Sequence, residues 1–156
     1  MPRLLYWSRQ RNPLRAGFLC KNMHHRPLFI LQTLVIVIIG IVHTAALQWS
    51  LYWYYPWLDS PVHFLGGMWI ALATAWILAR TESRIRARTV FAFVAVFAIS
   101  WELFELWAGV PMEDNFVFDT TIDLCMDALG GIVGFFAARS MVQSKAHGEA
   151  AENNPS

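Results

Sequence analysis

The chain has few charged residues for its length. Only 15% of its 156 residues are Asp, Glu, Lys or Arg, whereas 56% are hydrophobic. Soluble domains carry roughly 25% charged residues, and apolar residues make up under about half of them. The composition therefore excludes an ordinary soluble domain and indicates a protein whose solvent is lipid.

Several common functional motifs are also missing. The two cysteines, Cys20 and Cys125, are too few for a disulfide framework and are interpreted as unpaired thiols. The sequence contains no phosphate-cradling glycine loop, no zinc-binding cysteine pattern and no Ser/His/Asp series with a strained turn. These absences leave nucleic-acid binding and the common hydrolase sites without support.

What the chain does have is four long apolar segments. A bilayer core of ~30 Å requires roughly 20 apolar residues per helix, so a chain of this length has room for four spans. We predict an all-α fold, a bundle of four transmembrane helices at about residues 28–49, 61–79, 89–108 and 120–138, in a transmembrane domain of residues 28–140. Residues 1–27 form a basic segment suited to a headgroup surface, and the tail, residues 141–156, is predicted to be disordered.

The distribution of Lys and Arg predicts the orientation. The N-terminal segment carries six of the 12 basic residues, the connection after the second span carries four and the region after the fourth span carries two, so none is left for the other two connections. Because basic connections stay in the cytoplasm, both termini are predicted to be cytoplasmic. The aromatic connection around Trp53 and the acidic one around Asp114 are then external.

Six ionisable residues lie in or at the edges of the last three spans, in three pairs. The pairs are Asp59 with His63, Glu102 with Glu105, and Asp123 with Asp127. Residues three or four positions apart share a helix face, so each helical pair presents two polar groups in one direction. All three pairs fall in the outer half of their spans. His43, in the outer half of the first span, is interpreted first as a core histidine bonded to a neighbouring helix.

These groups raise an electrostatic problem. Each ionised group deep in hydrocarbon costs ~2.5–3.5 kcal/mol, so the acids are expected to face one another. Carboxylates that face one another repel unless His63, shared protons or a cation neutralises them, because every Lys and Arg is assigned to the opposite side. A divalent cation is one solution, and a carboxylate and imidazole set favours magnesium or manganese over zinc or iron. Shared protons, or hydrogen bonds that only hold the bundle together, are the alternatives.

The same residues resemble two groups of bacterial inner-membrane proteins, the YjdF-like and VanZ-like families. The YjdF-like pattern has an aspartate four residues before His-Phe and a following glycine, then two spaced glutamates, then spaced aspartates before a glycine. The matching residues are Asp59, His63, Phe64 and Gly67, then Glu102, Glu105 and Trp107, then Asp119, Asp123, Met126, Asp127, Ala128 and Gly130. The similarity covers residues 57–136 and implies a multi-pass protein of the bacterial cytoplasmic membrane.

The VanZ-like resemblance is more distant. At three positions where VanZ-like proteins usually carry Lys, Gln and Asn, this chain has Ser60, Glu105 and Asp127. VanZ-like proteins are associated with resistance to a glycopeptide antibiotic, so that resemblance implies a role in the cell envelope. Neither resemblance supplies an established reaction.

The sequence leads to three functional hypotheses. The first is an envelope-facing enzyme that binds a divalent cation through Asp59, His63, Asp123 and Asp127, uses Glu102 or Glu105 as general base, and acts on a phosphate-bearing lipid or lipid-linked substrate. The second is a proton or ion transporter with the carboxylates as relay sites. The third is a non-catalytic membrane subunit. Membrane lipids are the expected partners, and a homo-oligomer is possible through Gly130 and Gly134, which also suit packing within one chain.

Overall fold

Four long helices make up most of the computed structural model, which describes residues 26–81, 84–109 and 116–152. Helix α1 covers Arg26–Gln48, α2 covers Asp59–Arg80, α3 covers Ala87–Ala108 and α4 covers Phe116–Glu152. All four are long and apolar enough to cross a membrane. The all-α, four-helix prediction is confirmed, and the described residues contain no strand. The predicted basic segment lies outside the described residues, except for its last two positions.

The connection between α1 and α2 is ordered and rich in aromatic residues. A short helical turn, Leu51–Tyr54, is followed by a 3-10 turn, Pro56–Leu58, that leads directly into α2. Helix α2 therefore begins at Asp59, two residues before the predicted start at Pro61. Proline is tolerated in a first turn because the N–H groups there have no partner within the helix. Asp59 and His63 are consequently one turn apart on the same helix.

Helix α4 is longer at both ends than the predicted span of residues 120–138. Its start at Phe116 places Asp119 on the helix, and its end at Glu152 extends it past residue 141, where the predicted tail begins. The residues from 141 to 152 include Ala, Gln, Lys and Glu, which are strong helix formers, and the only proline of the tail is Pro155.

The closest packing in the bundle is between α2 and α4. A Cβ atom added at Gly67 would overlap the backbone carbonyl of Asp127, and one added at Gly130 would overlap that of Phe64. Gly134 packs in the same way against Met68. The predicted small-residue pair on α4 therefore serves contact within the chain, where the absence of side chains allows two backbones to touch.

The other two helices flank this pair. Helix α3 packs against both α2 and α4, and α1 packs mainly against α2. A buried apolar cluster of Leu28, Val35, Leu72, Ala75 and Ala138 joins α1, α2 and α4 at the end of the bundle remote from Asp59. Large apolar side chains on the outer faces, such as Ile41 and Phe136, are exposed, as expected for surfaces that contact lipid.

The glycine contact generates a stability prediction. Gly67→Ala and Gly130→Ala are expected to destabilise the bundle by about 1–3 kcal/mol or more, because a methyl group must push two backbones apart. Gly40→Ala on α1 is the matched control, since no atom lies within 4 Å of an added Cβ there. Thermal unfolding of purified protein in detergent measures the difference. Equal melting temperatures for the three variants would contradict the packing described here.

The predicted orientation has a direct test based on two exposed serines near opposite ends of the bundle. In a variant without Cys20 and Cys125, we expect Ser50→Cys to react with a membrane-impermeant maleimide added to intact spheroplasts. Ser140→Cys, just after Arg139 on α4, is expected to react only after permeabilisation, because basic residues stay in the cytoplasm. The reverse labelling pattern would show that the predicted orientation is wrong.

Candidate functional site

His63 on α2 lies at the centre of a cluster of acidic side chains and is only 5% exposed. Its Nδ1 atom is 3.0 Å from Oδ2 of Asp127 on α4, a hydrogen-bond distance. The same Nδ1 lies 3.9 Å from Oε1 of Glu102 on α3, and Nε2 lies 3.8 Å from Oδ2 of Asp59. Three helices therefore direct carboxylates at a single imidazole ring.

Local helix geometry explains how the pairs come together. One helical turn separates Asp59 from His63 on α2 and Asp123 from Asp127 on α4, so each pair lies on one helix face. The backbone contact between Gly67 and Asp127 sets α4 close enough for Asp127 to reach the ring. The structure thus brings together all six residues that the sequence singles out: Asp59, His63, Glu102, Glu105, Asp123 and Asp127.

Burial divides the cluster into an inner and an outer part. Glu102, Asp123 and Asp127 are buried, with exposed fractions of 9%, 3% and 7%. Asp59 and Glu105 are half-buried and face the open end of the bundle. The inner carboxylates are thus shielded from solvent, whereas the outer two remain accessible.

Two sets of side chains have the proximity that a metal ion requires. One set is Asp59, His63 and Asp123, and the other is His63, Glu102 and Glu105; within each set the potential ligand atoms lie within 4.8 Å of one another. Nε2 of His63 and Oε1 of Glu102 are buried without a hydrogen-bond partner. Leaving a buried polar atom without a partner costs about 1–3 kcal/mol of stability. A ligand that bound to these two atoms would remove that cost.

No basic side chain among the described residues balances the acids. In the portion of the chain whose side chains are described, no Lys or Arg forms an ion pair with these carboxylates. Arg80 ends α2, 21 residues and about 30 Å along the helix from Asp59, and its guanidinium lies 5.4 Å from the Trp76 ring centre. His63, protons or a bound cation are the remaining means of neutralisation.

The open end of the cluster forms a cavity of about 510 Å³, here called the mouth. His43 on α1 hydrogen bonds through Nδ1 to the hydroxyl of Tyr52, at 2.8 Å, and its ring lies edge-on to Trp101. The partner of His43 is thus a residue of the short turn after α1 rather than one on a neighbouring helix. The mouth is lined by His43, Leu47, Tyr52, Pro56, Asp59, Trp101, Phe104, Glu105, Ala108 and Asp119.

Tyr52 is a site residue that the sequence did not single out. Burial, and to a lesser degree the nearby carboxylates of Asp59 and Glu105, raise its pKa to about 12. The phenol therefore keeps its proton at physiological pH and remains able to hydrogen bond to His43. The sequence does not distinguish Tyr52 from its neighbours, because it lies in a run of interfacial aromatic residues: Trp49, Tyr52, Trp53, Tyr54, Tyr55 and Trp57.

A second cavity of about 380 Å³ lies on the inner side of the cluster, between α1, α2 and α3. His63 and Asp127 form its polar end, and His43 and Trp101 line both this cavity and the mouth. Most of its remaining lining is apolar: Ile36, Ile39, Val62, Gly66, Trp69, Ile70, Val94, Phe97 and Ala98. The cluster therefore separates a polar opening from an apolar interior.

Comparison with known proteins identifies a family for most of the chain. No curated protein and no solved structure matches it. A family described as "Predicted membrane protein (DUF2238)" matches residues 16–144, which include the four candidate membrane spans and every residue of the cluster. This match agrees with four helices able to cross a membrane. The chain belongs to the DUF2238 family of predicted membrane proteins.

Proposed function

We propose that this membrane protein binds a divalent cation in the His63 cluster and uses it to act on a phosphate-bearing lipid or lipid-linked substrate. The observation that carries the proposal is the environment of His63. Its Nε2 atom is buried, has no hydrogen-bond partner and points toward a carboxylate, while Nδ1 is held by Asp127. Histidines that bind metals commonly donate their other ring N–H to a carboxylate in this way.

The donor set supports a hard divalent cation. Asp59, His63 and Asp123 are the proposed ligands, since their donor atoms lie within 4.8 Å of one another. Carboxylate oxygens with a single imidazole suit magnesium or manganese better than zinc or iron, which accept more nitrogen or sulfur ligands. A cation would also offset the repulsion among the buried acids, which form no ion pair with a Lys or Arg of the described residues.

Asp127 takes a different role in this proposal from the one that the sequence suggested. The sequence placed it among the metal ligands, but its Oδ2 atom is 3.0 Å from Nδ1 of His63. With an ionised carboxylate, Nδ1–H donates this hydrogen bond and the ring keeps Nε2 free of a proton. Asp127 is therefore proposed to orient the imidazole and fix its tautomer.

Glu102 and Glu105 are the candidate general bases. Both belong to the second set around His63, and Glu105 also lines the mouth, where water and a headgroup can enter. A base at this position would accept a proton from a water molecule or hydroxyl group bound at the cluster. A bound cation supplies the complementary chemistry, because it polarises a phosphoryl oxygen and lowers the pKa of a coordinated water.

The location supports a lipid substrate. The mouth lies at the end of the bundle that carries the aromatic turn, and interfacial aromatic side chains mark the depth of lipid headgroups. The charge asymmetry predicts that this end is external, and the YjdF-like resemblance predicts the bacterial inner membrane. A phosphate group at this depth meets the proposed cation directly.

A proton relay is the second candidate function. The contacts of His63 with Asp59, Glu102 and Asp127 also suit proton sharing between neighbours. However, between the cluster and the basic residues at the opposite helix ends, the four apolar segments contain no Asp, Glu, Lys, Arg or His. A relay would therefore have no titratable group to continue it across the membrane, which favours the metal site.

Metal analysis tests the main proposal. We expect purified protein, equilibrated with magnesium or manganese, to retain one cation per chain. His63→Gln and Asp123→Asn are expected to weaken binding by at least ~10-fold, the loss commonly caused even by removing a neighbour of a metal ligand. Glu82→Gln, 19 residues after His63 in the sequence and outside the three paired sets of acids, is the control. A wild-type protein that binds neither cation would refute the proposal.

Proton flux distinguishes the second candidate function. Proteoliposomes that contain wild-type protein or Glu102→Gln are expected to dissipate an imposed pH gradient at the same slow rate. The reason is the apolar inner cavity, which provides no proton path below the cluster. The readout is a pH-sensitive dye trapped inside the vesicles, with protein-free liposomes as the baseline. Rapid dissipation that requires Glu102 would favour the relay instead.

A further inference from the structure

The inner cavity has the form of a site for a hydrocarbon chain. Side chains from α1, α2 and α3 line it, and its apolar walls include Ile36, Ile39, Ile70, Val94 and Phe97. Its volume of about 380 Å³ falls within the roughly 300–1,000 Å³ typical of small-molecule sites. Water needs two to four polar partners to remain in a cavity, and these walls provide few of them.

The cavity reaches the cluster beside Gly66 on α2. Because Gly66 has no side chain, no Cβ atom occupies the position 3.6 Å from Oδ1 of Asp127, and both residues line the cavity. His63 and Asp127 form the polar end of a space that is otherwise apolar.

The cavity lies at the depth of lipid hydrocarbon and is partly open. From His43 to Ile36, and from His63 to Ile70, it extends seven residues, or about 10 Å, away from the mouth. Helices α1 and α3 both pack against α2 and hardly touch each other, except where the rings of His43 and Trp101 meet. The space between α1 and α3 is thus a lateral entrance from the bilayer.

We infer that the inner cavity binds one hydrocarbon chain of the substrate lipid, which enters between α1 and α3 while its phosphate lies at the cluster. This inference rests on the proposed function, because the mouth and the cavity together match an amphiphile. The polar end holds carboxylates and an imidazole, and the apolar end begins at the same two residues, His63 and Asp127. A soluble phosphate compound would leave the apolar part empty.

Photocrosslinking in nanodiscs tests the inference. Two probes carry the same diazirine in the middle of an acyl chain: a phosphatidic acid and the corresponding diacylglycerol, which lacks the phosphate. We expect the phosphatidic acid to label residues of the cavity, such as Ile70 and Val94, several-fold more than the diacylglycerol does. Labelling of the outer faces, for example at Val96, is expected to be equal for the two probes.

A pair of adjacent isoleucines provides matched variants. Ile39 is half-buried and lines the cavity, whereas Ile38 is 47% exposed and is not part of its lining. Ile39→Trp is expected to fill the cavity and lower cavity labelling by phosphatidic acid several-fold, whereas Ile38→Trp leaves it unchanged. Melting temperatures of both variants confirm that each is folded.

The outcomes separate this inference from the proposed function. Equal labelling of the cavity by the two probes, or labelling unaffected by Ile39→Trp in a folded protein, overturns the chain site even if the protein binds metal. Conversely, selective labelling by phosphatidic acid in a protein that binds no cation supports the lipid site and refutes the metal enzyme. Metal content is therefore measured on the same samples.

Discussion

The close contact between α2 and α4 is the constraint on which the rest of the structure depends. Glycine at positions 67 and 130 lets the two backbones touch, and this approach brings Asp127 within hydrogen-bond distance of His63. Helix α3 then packs against both members of the pair and adds Glu102. The geometry of the cluster is therefore a consequence of backbone packing that lies one helical turn away from it.

Burying the cluster costs electrostatic free energy, which other contacts in the bundle must offset. Ionised groups at such depth cost ~2.5–3.5 kcal/mol each, and the cluster gathers five carboxylates around a single histidine. Small residues at the α2–α4 contact and the apolar cluster at the remote end supply dispersion contacts that stabilise the bundle. Among the described residues these acids have no basic partner, and such a costly cluster is typical of a site kept for binding rather than for stability.

Much of this arrangement was predictable from helical spacing and charge counting. The three pairs of polar residues, their position near one end of the bundle and the close approach at Gly130 all follow from periodicity in apolar segments. The start of α2 was missed because Pro61 was read as the first residue of the helix, although proline fits equally well in its first turn. The roles of Tyr52 and Gly66, and the inner cavity, depend on how the helices are placed in three dimensions, which spacing within one helix does not define.

The first helix and the other three helices contribute to different parts of the site. Every carboxylate of the cluster, together with His63, comes from α2, α3 or α4, whereas α1 contributes walls of the inner cavity and His43 at the mouth. The first helix is thus free to vary in sequence along its cavity-facing side without altering the polar centre. For the proposed lipid substrate, this separation would allow the length or branching of the bound chain to diverge among related proteins while the headgroup site is kept.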